Sequence, residues 1–285
     1  MDNIISLHND IVNGSYRHGG YHAFNISDPK PRNIHKANVR DRLVHHAVYR
    51  VLSPYFDRTF IADSYSCRAE KGTHAALKRF RAFAYRASHN HTRTCWVLKC
   101  DIRKFFASID HGVLLKILPR HIQDDRVLTL LREIVESFSV PGRPGIGLPL
   151  GNLTSQLLVN IYMNEFDQFV KHSLRVPCYI RYADDFVILS TDRNYLEDVL
   201  SKMDVFLSGC LHLELHPEKV SLATLASGVD FLGWVHFPDH HVLRTVTKRR
   251  MLKKLTAQIV PAPATLASYR GLLKHGNARK LLRMI

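Results

Sequence analysis

Residues 181–189 read RYADDFVIL, two adjacent aspartates set into what otherwise reads as a buried strand. Burying two unpaired carboxylates costs too much to be incidental unless donors or cations offset them. Neighbouring side chains of a strand face opposite ways, so Asp184 and Asp185 can share one site only at a turn. The flanking CYIRY and FVILS supply that turn, two strand-like runs joined tightly at Ala183-Asp184-Asp185. Hard divalent ions are the natural compensation for such a pair; the plain alternative is a solvated turn. A third acid is placed in the same manner. Asp101 closes the strand-like WVLKCD, just ahead of an aromatic-rich helix start. Carboxylates brought from separate segments can hold two Mg²⁺ ions about 4 Å apart, which activates a hydroxyl and stabilises the leaving oxygen of a phosphoryl transfer.

The charge balance names a partner for such chemistry. With 40 Lys and Arg against 25 Asp and Glu, the formal net charge is +15, which points to a polyanion, nucleic acid first. A basic surface kept only for solubility would not be segregated as this one is. The tract from His240 to Ile285 holds eleven cations (Arg244, Lys248, Arg249, Arg250, Lys253, Lys254, Arg270, Lys274, Arg279, Lys280, Arg283) and no acid. Arg68 to Arg93 holds seven cations against the single acid Glu70. Phosphates would be drawn to these tracts in a salt-dependent way.

Other chemistries are poorly supported. PGRPGIGLPLGN lacks the Lys-Ser/Thr of a phosphate loop and the glycine spacing of a dinucleotide fold. The histidine pairs His45-His46, His89/His91 and His240-His241 lack paired cysteines, so structural zinc is not expected. The five cysteines are odd in number, and Cys95 and Cys100 read as buried thiols of a reduced compartment. MDNIISLHND shows no secretory signal, and no apolar run approaches the roughly 20 residues of a membrane helix. A cytoplasmic location away from membrane is expected.

The 285 residues, 46% apolar, suffice for one large domain or two close lobes. Residues 1–35 are polar and end in the extended PKPRNIH. Helical spacing covers 37–52 and 73–87, the latter with a basic polar face. CWVLKCDI reads as a strand and FASIDHGVLLKIL as a helix. Asp124 and Asp125 cap the next helix, and Asn152 or Thr154 opens a long one over 152–174. HLELHPEKV reads as mostly helical, FLGWVHF and HVLRTV as a last strand pair, and 248–285 as two or three helices broken at Pro261 and Pro263. The expected fold class is α+β, a sheet with helices on one face plus a helical basic appendage.

Seven ordered segments spanning roughly residues 25–237 resemble the conserved blocks of reverse transcriptases. They are PKPRNIHKANVRDRLVHHAV, SYSCRAEKGTHAA, LKCDIRKFFASIDH, GLPLGNLTSQLLVNIYMNEFD, YIRYADDFVIL, LHLELHPEKV and GVDFLGW. The resemblance implies a right-hand polymerase: fingers over 1–95, a palm over 96–240 that includes fingers residues 125–155, and a basic helical thumb over 241–285. It implies an RNA-directed DNA polymerase acting on an RNA template, a cDNA or primer strand and deoxynucleotides, with two Mg²⁺ ions that Mn²⁺ can replace. Asp101, Asp184 and Asp185 match the catalytic metal-binding triad, with the Ile102 carbonyl as an extra ligand. Lys30, Arg32 and Arg68 match triphosphate-binding positions. Phe106 matches an aromatic gate against the 2′-hydroxyl, with Phe105 left to the core. Lys219 matches a lysine near the leaving pyrophosphate, and Phe231, Leu232, Gly233 and Trp234 match the primer grip. Lys248, Arg249, Arg250, Lys253, Lys254 and Lys274 fall where the thumb meets nucleic acid.

The fourth block narrows the resemblance. LPLGNLTSQ, with KGTH upstream and SYRGLLKHGNA downstream, is similar to bacterial or phage-encoded reverse transcriptases of diversity-generating retroelements. Such enzymes misincorporate opposite template adenines and work with a small basic accessory oligomer. Leu150 stands where many relatives carry a glutamine that bonds near the incoming nucleotide; with Gln156 it implies looser selection. A retron-type enzyme of phage defence, or an inactive RNA-binding relative, is the alternative.

Overall fold

The computed structural model describes residues 2–27, 31–256 and 262–283. The chain runs α1 (Asp2–Val12), β1 (Tyr21–Ile26), β2 (Arg32–Ala37), α2 (Val39–Asp57) and α3 (Thr73–Ala87). It continues through β3 (Trp96–Asp101), α4 (Phe105–Ser108), α5 (His111–Ile117), α6 (Asp125–Glu136) and α7 (Leu153–Gln168). Then come β4 (Tyr179–Tyr182), β5 (Asp185–Ser190), α8 (Arg193–Leu211), β6 (Ser221–Thr224), β7 (Val229–Phe231), β8 (Trp234–His236) and β9 (His241–Leu243). Three helices follow: α9 (Thr245–Thr256), α10 (Pro263–Leu273) and α11 (Arg279–Leu282).

The centre is a four-stranded antiparallel sheet in the order β4-β5-β3-β6. Both faces are covered, which explains why FVIL shows no polar alternation. Phe186 and Ile188 of β5, with Leu98 and Cys100 of β3, enter a core shared with α5, α7 and α8. Val187, Leu189 and Val97 enter a second core with Phe80 and Phe83 of α3 and Phe231 and Trp234 of the sheet β7-β8-β9. The expected α+β layout and its helical layer are present, and α3 with the small sheet adds a cover on the opposite face.

Local chemistry explains several boundaries. Asn38 caps α2 by accepting from the Asp41 amide, and Asp124 caps α6 by accepting from Arg126 and Val127. Asn152 precedes α7 without capping it. Its side chain instead accepts from the Ala37 amide at 3.2 Å and donates to the His35 carbonyl at 2.7 Å, tying β2 to the head of α7. Gly276 lies against the face of Trp234, where an added Cβ would stand 2.0 Å from the ring. With the Asn277 amide donating to the His241 carbonyl at 2.9 Å, it docks the end of α10 onto β9. Much of the SYRGLLKHGNA motif is thus a docking element.

Some expectations are corrected. Residues 2–12 are helical and 21–26 form a strand, both inside a segment read only as polar. HLELHPEKV is extended apart from one 3₁₀ turn over Pro217–Lys219, because His212 takes a left-handed conformation (φ 51°) that ends α8. α8 itself, with Leu196, Val199, Met203 and Leu207 buried at helical spacing, was not anticipated. The last strand pair is three-stranded. Pro263 starts α10 rather than breaking a helix, and Pro261 lies outside the described residues. Cys95, Cys100 and Cys178 are buried free thiols. Among the described residues, no helix is long and apolar enough to cross a membrane.

Candidate active site

Asp101 and Asp185 lie directly opposite each other in the β3–β5 ladder, so their side chains share one face of the sheet. Asp184 precedes Asp185 in the turn, and its carbonyl accepts from the Ile102 amide at 3.1 Å. The segment after α8 runs beside β3, with the His216 amide donating to the Asp101 carbonyl at 2.8 Å. That contact delivers Lys219, whose ammonium donates to Asp101 Oδ1 at 2.7 Å. The predicted triad, the Ile102 backbone and Lys219 therefore meet at one corner.

Electrostatics mark this corner as incompletely compensated. Burial pushes the Asp185 carboxyl up to about 7; Lys99, 3.8 Å from Oδ2, opposes the rise, and Asp101 and Asp184 add to it. Asp184 is also raised, first by burial and then by Asp101, while Lys219 and Arg32 act against the rise. Asp185 Oδ1 is buried with no hydrogen-bond partner among the described residues. An orphaned buried oxygen beside two further carboxylates is the donor chemistry a hard divalent cation satisfies. Among the described residues, no three His, Cys, Asp or Glu side chains are already gathered into a metal-holding cluster. The carboxylates repel one another and two are drawn toward lysines, which accounts for that spread.

The turn is held by a residue the sequence reading passed over. Arg181 is fully buried and pairs with the equally buried Asp167, Nε donating at 2.8 Å to Oδ1 and Nη2 at 2.6 Å to Oδ2. The Tyr179 hydroxyl donates to the same carboxylate at 2.7 Å. Arg181 Nη1 donates at 3.1 Å to the carbonyl of Ala183. Ala183 has φ 57°, a left-handed conformation that costs a non-glycine residue about 1–2 kcal/mol. Surroundings must impose it, and the Arg181 contact does so one residue before Asp184. A charged letter inside an apolar strand was the available signal.

The other predicted residues divide. Phe105 is buried, and Phe106 is half-buried at the edge of the main core. The Phe106 carbonyl accepts from the Leu148 amide at 2.7 Å, and the Leu150 carbonyl accepts from His35 at 2.9 Å. Phe106, Leu150 and the β2 strand carrying Arg32 are thereby linked in series. Gln156 is half-buried one turn into α7. Arg68 is a correction: its guanidinium pairs with Asp57 at 2.6 Å and donates to the carbonyls of Ile61, Ser64 and Asp57, so it braces its own loop. Lys30 lies outside the described residues.

FLGW is corrected in part. Phe231 and Trp234 are buried in the second core, so their rings are not offered to a primer. Leu232 and Gly233 (φ 50° and 86°) form the tight turn that stays half-exposed. Asp230, absent from the sequence reading, lies close enough to raise Asp185 and is itself paired with Arg244. Lys248, Arg249, Arg250, Lys253, Lys254 and Lys274 are exposed. In the earlier basic tract, Arg79 is spent on buried Asp63 and Arg86 bonds the Pro177 carbonyl.

Solved structures share this fold. Telomerase from Candida tropicalis, in complex with a TWJ fragment of telomeric RNA, superposes with a TM-score of 0.61 at 11% identity, covering 93% of this chain and 52% of that one. Telomerase from Candida albicans, also with a TWJ fragment, gives 0.60 at 12% identity over 79% of this chain and 45% of the other. At such identities the likeness is one of fold, and the fold is the right-hand polymerase type. The family follows from sequence. The family model described as reverse transcriptase (RNA-dependent DNA polymerase) matches residues 27–236, and the chain belongs to that family. Protein YkfC of Escherichia coli K12 is 27% identical over 243 residues, 73% of this chain and 63% of that protein. The group II intron-encoded protein LtrA of Lactococcus lactis subsp. cremoris is 23% identical over 276 residues, 74% of this chain and 44% of LtrA. The chain thus spans less than two thirds of either relative. Reverse transcriptases generally use divalent metal ions.

Proposed function

We propose that this chain copies an RNA template into cDNA by phosphoryl transfer at the Asp101–Asp184–Asp185 corner. The observation that carries the reading is the meeting of three acids from two separate segments, one with an orphaned buried oxygen, in a chain of this family. Asp101, Asp184, Asp185 and the Ile102 carbonyl would hold Mg²⁺, which when bound supplies charge stabilisation at the attacking and leaving oxygens. Lys219 stands beside Asp101, in place to hand a proton to departing pyrophosphate. Arg32 of β2 neutralises triphosphate charge, aided by Lys30. The Phe106 ring closes the sugar end of the nucleotide site against a 2′-hydroxyl. The Leu232-Gly233 turn supports the primer end through backbone, and the exposed cations of α9 and Lys274 hold the duplex backbone. Residues 1–95 act as fingers, 96–240 as palm and 241–285 as thumb.

The subtype reading is a diversity-generating retroelement enzyme. LPLGNLTSQ supports it, and so does Leu150, whose side chain offers no polar group to a nucleotide while its carbonyl is occupied by β2. The same subtype reading adds a small basic accessory oligomer as a partner.

The test is primer extension on a defined RNA with the Asp184→Asn chain. Extension should vanish while RNA binding stays or strengthens, and retained extension would remove the proposal. Sequencing wild-type cDNA tests the subtype separately, through substitutions collected opposite adenine.

A further inference from the structure

A histidine-lined cavity lies between α3, the β8–β9 hairpin and the segment after α10, outside the aspartate corner. His236 is 1% exposed, and among the described residues neither ring nitrogen makes a well-formed hydrogen bond, although the Phe231 carbonyl lies near. His241 is also buried; its Nε2 contacts the His275 carbonyl, and its Nδ1 is unpartnered. Buried polar atoms left unpaired are costly and rare, so each asks for a reason. Both rings line an open cavity of about 650 Å³. Phe80 packs against His236 with centroids 4.5 Å apart, and His74 stacks on His275 at 3.6 Å beside them. Lys78 and Arg81 of α3 stand exposed on the rim, and among the described residues no carboxylate lines the space.

A metal ion does not fit. His236 and His241 are stacked at 15° rather than converging on a point, and the charge that acts on His236 is the cation Arg81. Burial outweighs the nearby Phe231 carbonyl and pushes the His236 imidazole down to about 3, so the ring is neutral at physiological pH. A neutral imidazole presents one donor and one acceptor, the pairing that a nucleobase edge answers. Flat rings for stacking, a donor–acceptor edge and rim cations are the parts list for an unpaired nucleotide.

We propose that this cavity is a second nucleotide site, taking one unpaired base on the exposed His74–His275 stack, with its edge toward His236 and its phosphate on Lys78 and Arg81. The source is a residue of a bound RNA strand. An adjoining depression of about 960 Å³ shares Arg81, His241 and His275 and adds Lys248, Lys274 and Lys280, cationic reach that a single free nucleotide would not use. The proposal extends the polymerase reading without depending on it, since none of these groups belongs to the aspartate corner.

The experiment titrates the full chain, without Mg²⁺ or deoxynucleotides, with a labelled single-stranded RNA of about twelve nucleotides, and separately with labelled AMP. His236→Phe keeps the ring volume and removes the polar edge; Arg81→Gln removes the rim charge from an exposed position. Each variant should weaken RNA about tenfold without a lower melting temperature, and an RNA made abasic throughout should bind wild type as weakly as His236→Phe binds the intact RNA. Should His236→Phe fail to fold, Arg81→Gln and Lys78→Gln carry the same test. If AMP binding is lost in the variants while RNA binding is untouched, the site takes free nucleotide and the strand assignment is overturned. If neither ligand responds to either substitution, the nucleotide site itself is refuted, and primer extension by wild type would still stand.

Discussion

Asp167→Asn isolates the buried pair under the aspartate turn. Asn fills nearly the volume of Asp, so no cavity confuses the result, but its amide turns N–H groups toward a cation that needs acceptors. The guanidinium of Arg181 would keep only neutral acceptors: Ser64 Oγ at 3.1 Å, the Ala183 carbonyl at 3.1 Å and Asn160 Oδ1 at 3.4 Å. Removing one partner of a buried pair costs about 3–5 kcal/mol, because the other charge stays in a low-dielectric interior. Against a typical total of about 5–15 kcal/mol, that is a large fraction. For a chain of this size the melting midpoint should fall by roughly 6–20 °C, read by calorimetry at neutral pH. Replacing the pair together, Asp167→Leu with Arg181→Met, removes both charges and should restore most of the stability. Primer extension should not recover, because nothing then holds the Ala183 carbonyl ahead of Asp184. A single variant melting within about 2 °C of wild type would refute the stability argument. Full extension by the double variant would refute the positioning role of Arg181.

Phe106→Ala should let ribonucleotides into primer extension while deoxynucleotides still enter; continued exclusion would return Phe106 to a packing role. Leu150→Gln should lower misincorporation opposite adenine by supplying a polar group at the nucleotide site, and an unchanged error rate would end that attribution. Burial, reinforced by neighbouring His18, pushes the His45 imidazole down to about 4, whereas an unfolded histidine titrates near 6.5. The unfolded chain therefore binds more protons between those values, so stability is full above about 6.5 and falls as the pH drops toward 4, by a sum on the order of 3 kcal/mol. His45→Gln should flatten that acid limb in urea unfolding measured across pH, and an unaltered slope would show that His45 does not contribute it.

The strands around the acids were legible because WVLKCD, CYIRY and FVILS are short apolar runs bounded by turn residues. Their pairing sets Asp101, at the end of one run, opposite Asp185, at the start of another. Residues 193–211 fall outside the blocks that carry the resemblance, and α8 was not predicted there although its apolar residues recur at helical spacing. HLELHPEKV misled through its leucines: local propensity favours helix, but the backbone of Leu215 and His216 is claimed by β3. Arg68 shows the limit of counting charge, since its guanidinium is consumed by Asp57 and by carbonyls of its own loop. The Arg181–Asp167 pair shows the same limit in reverse. A lone arginine in a strand announces a partner without saying which of the chain's acids it is.

The ladder has a consequence for the tolerance of the site. β5 lies between β4 and β3, and β3 between β5 and β6, so neither acid-bearing strand has a free edge. The gap between the Asp101 and Asp185 backbones is set by inter-strand bonding at about 5 Å, not by a loop that breathes. It cannot widen gradually under load, as a hinge would, without unzipping the middle of the sheet. The spacing is a property of the whole molecule, kept or lost with it.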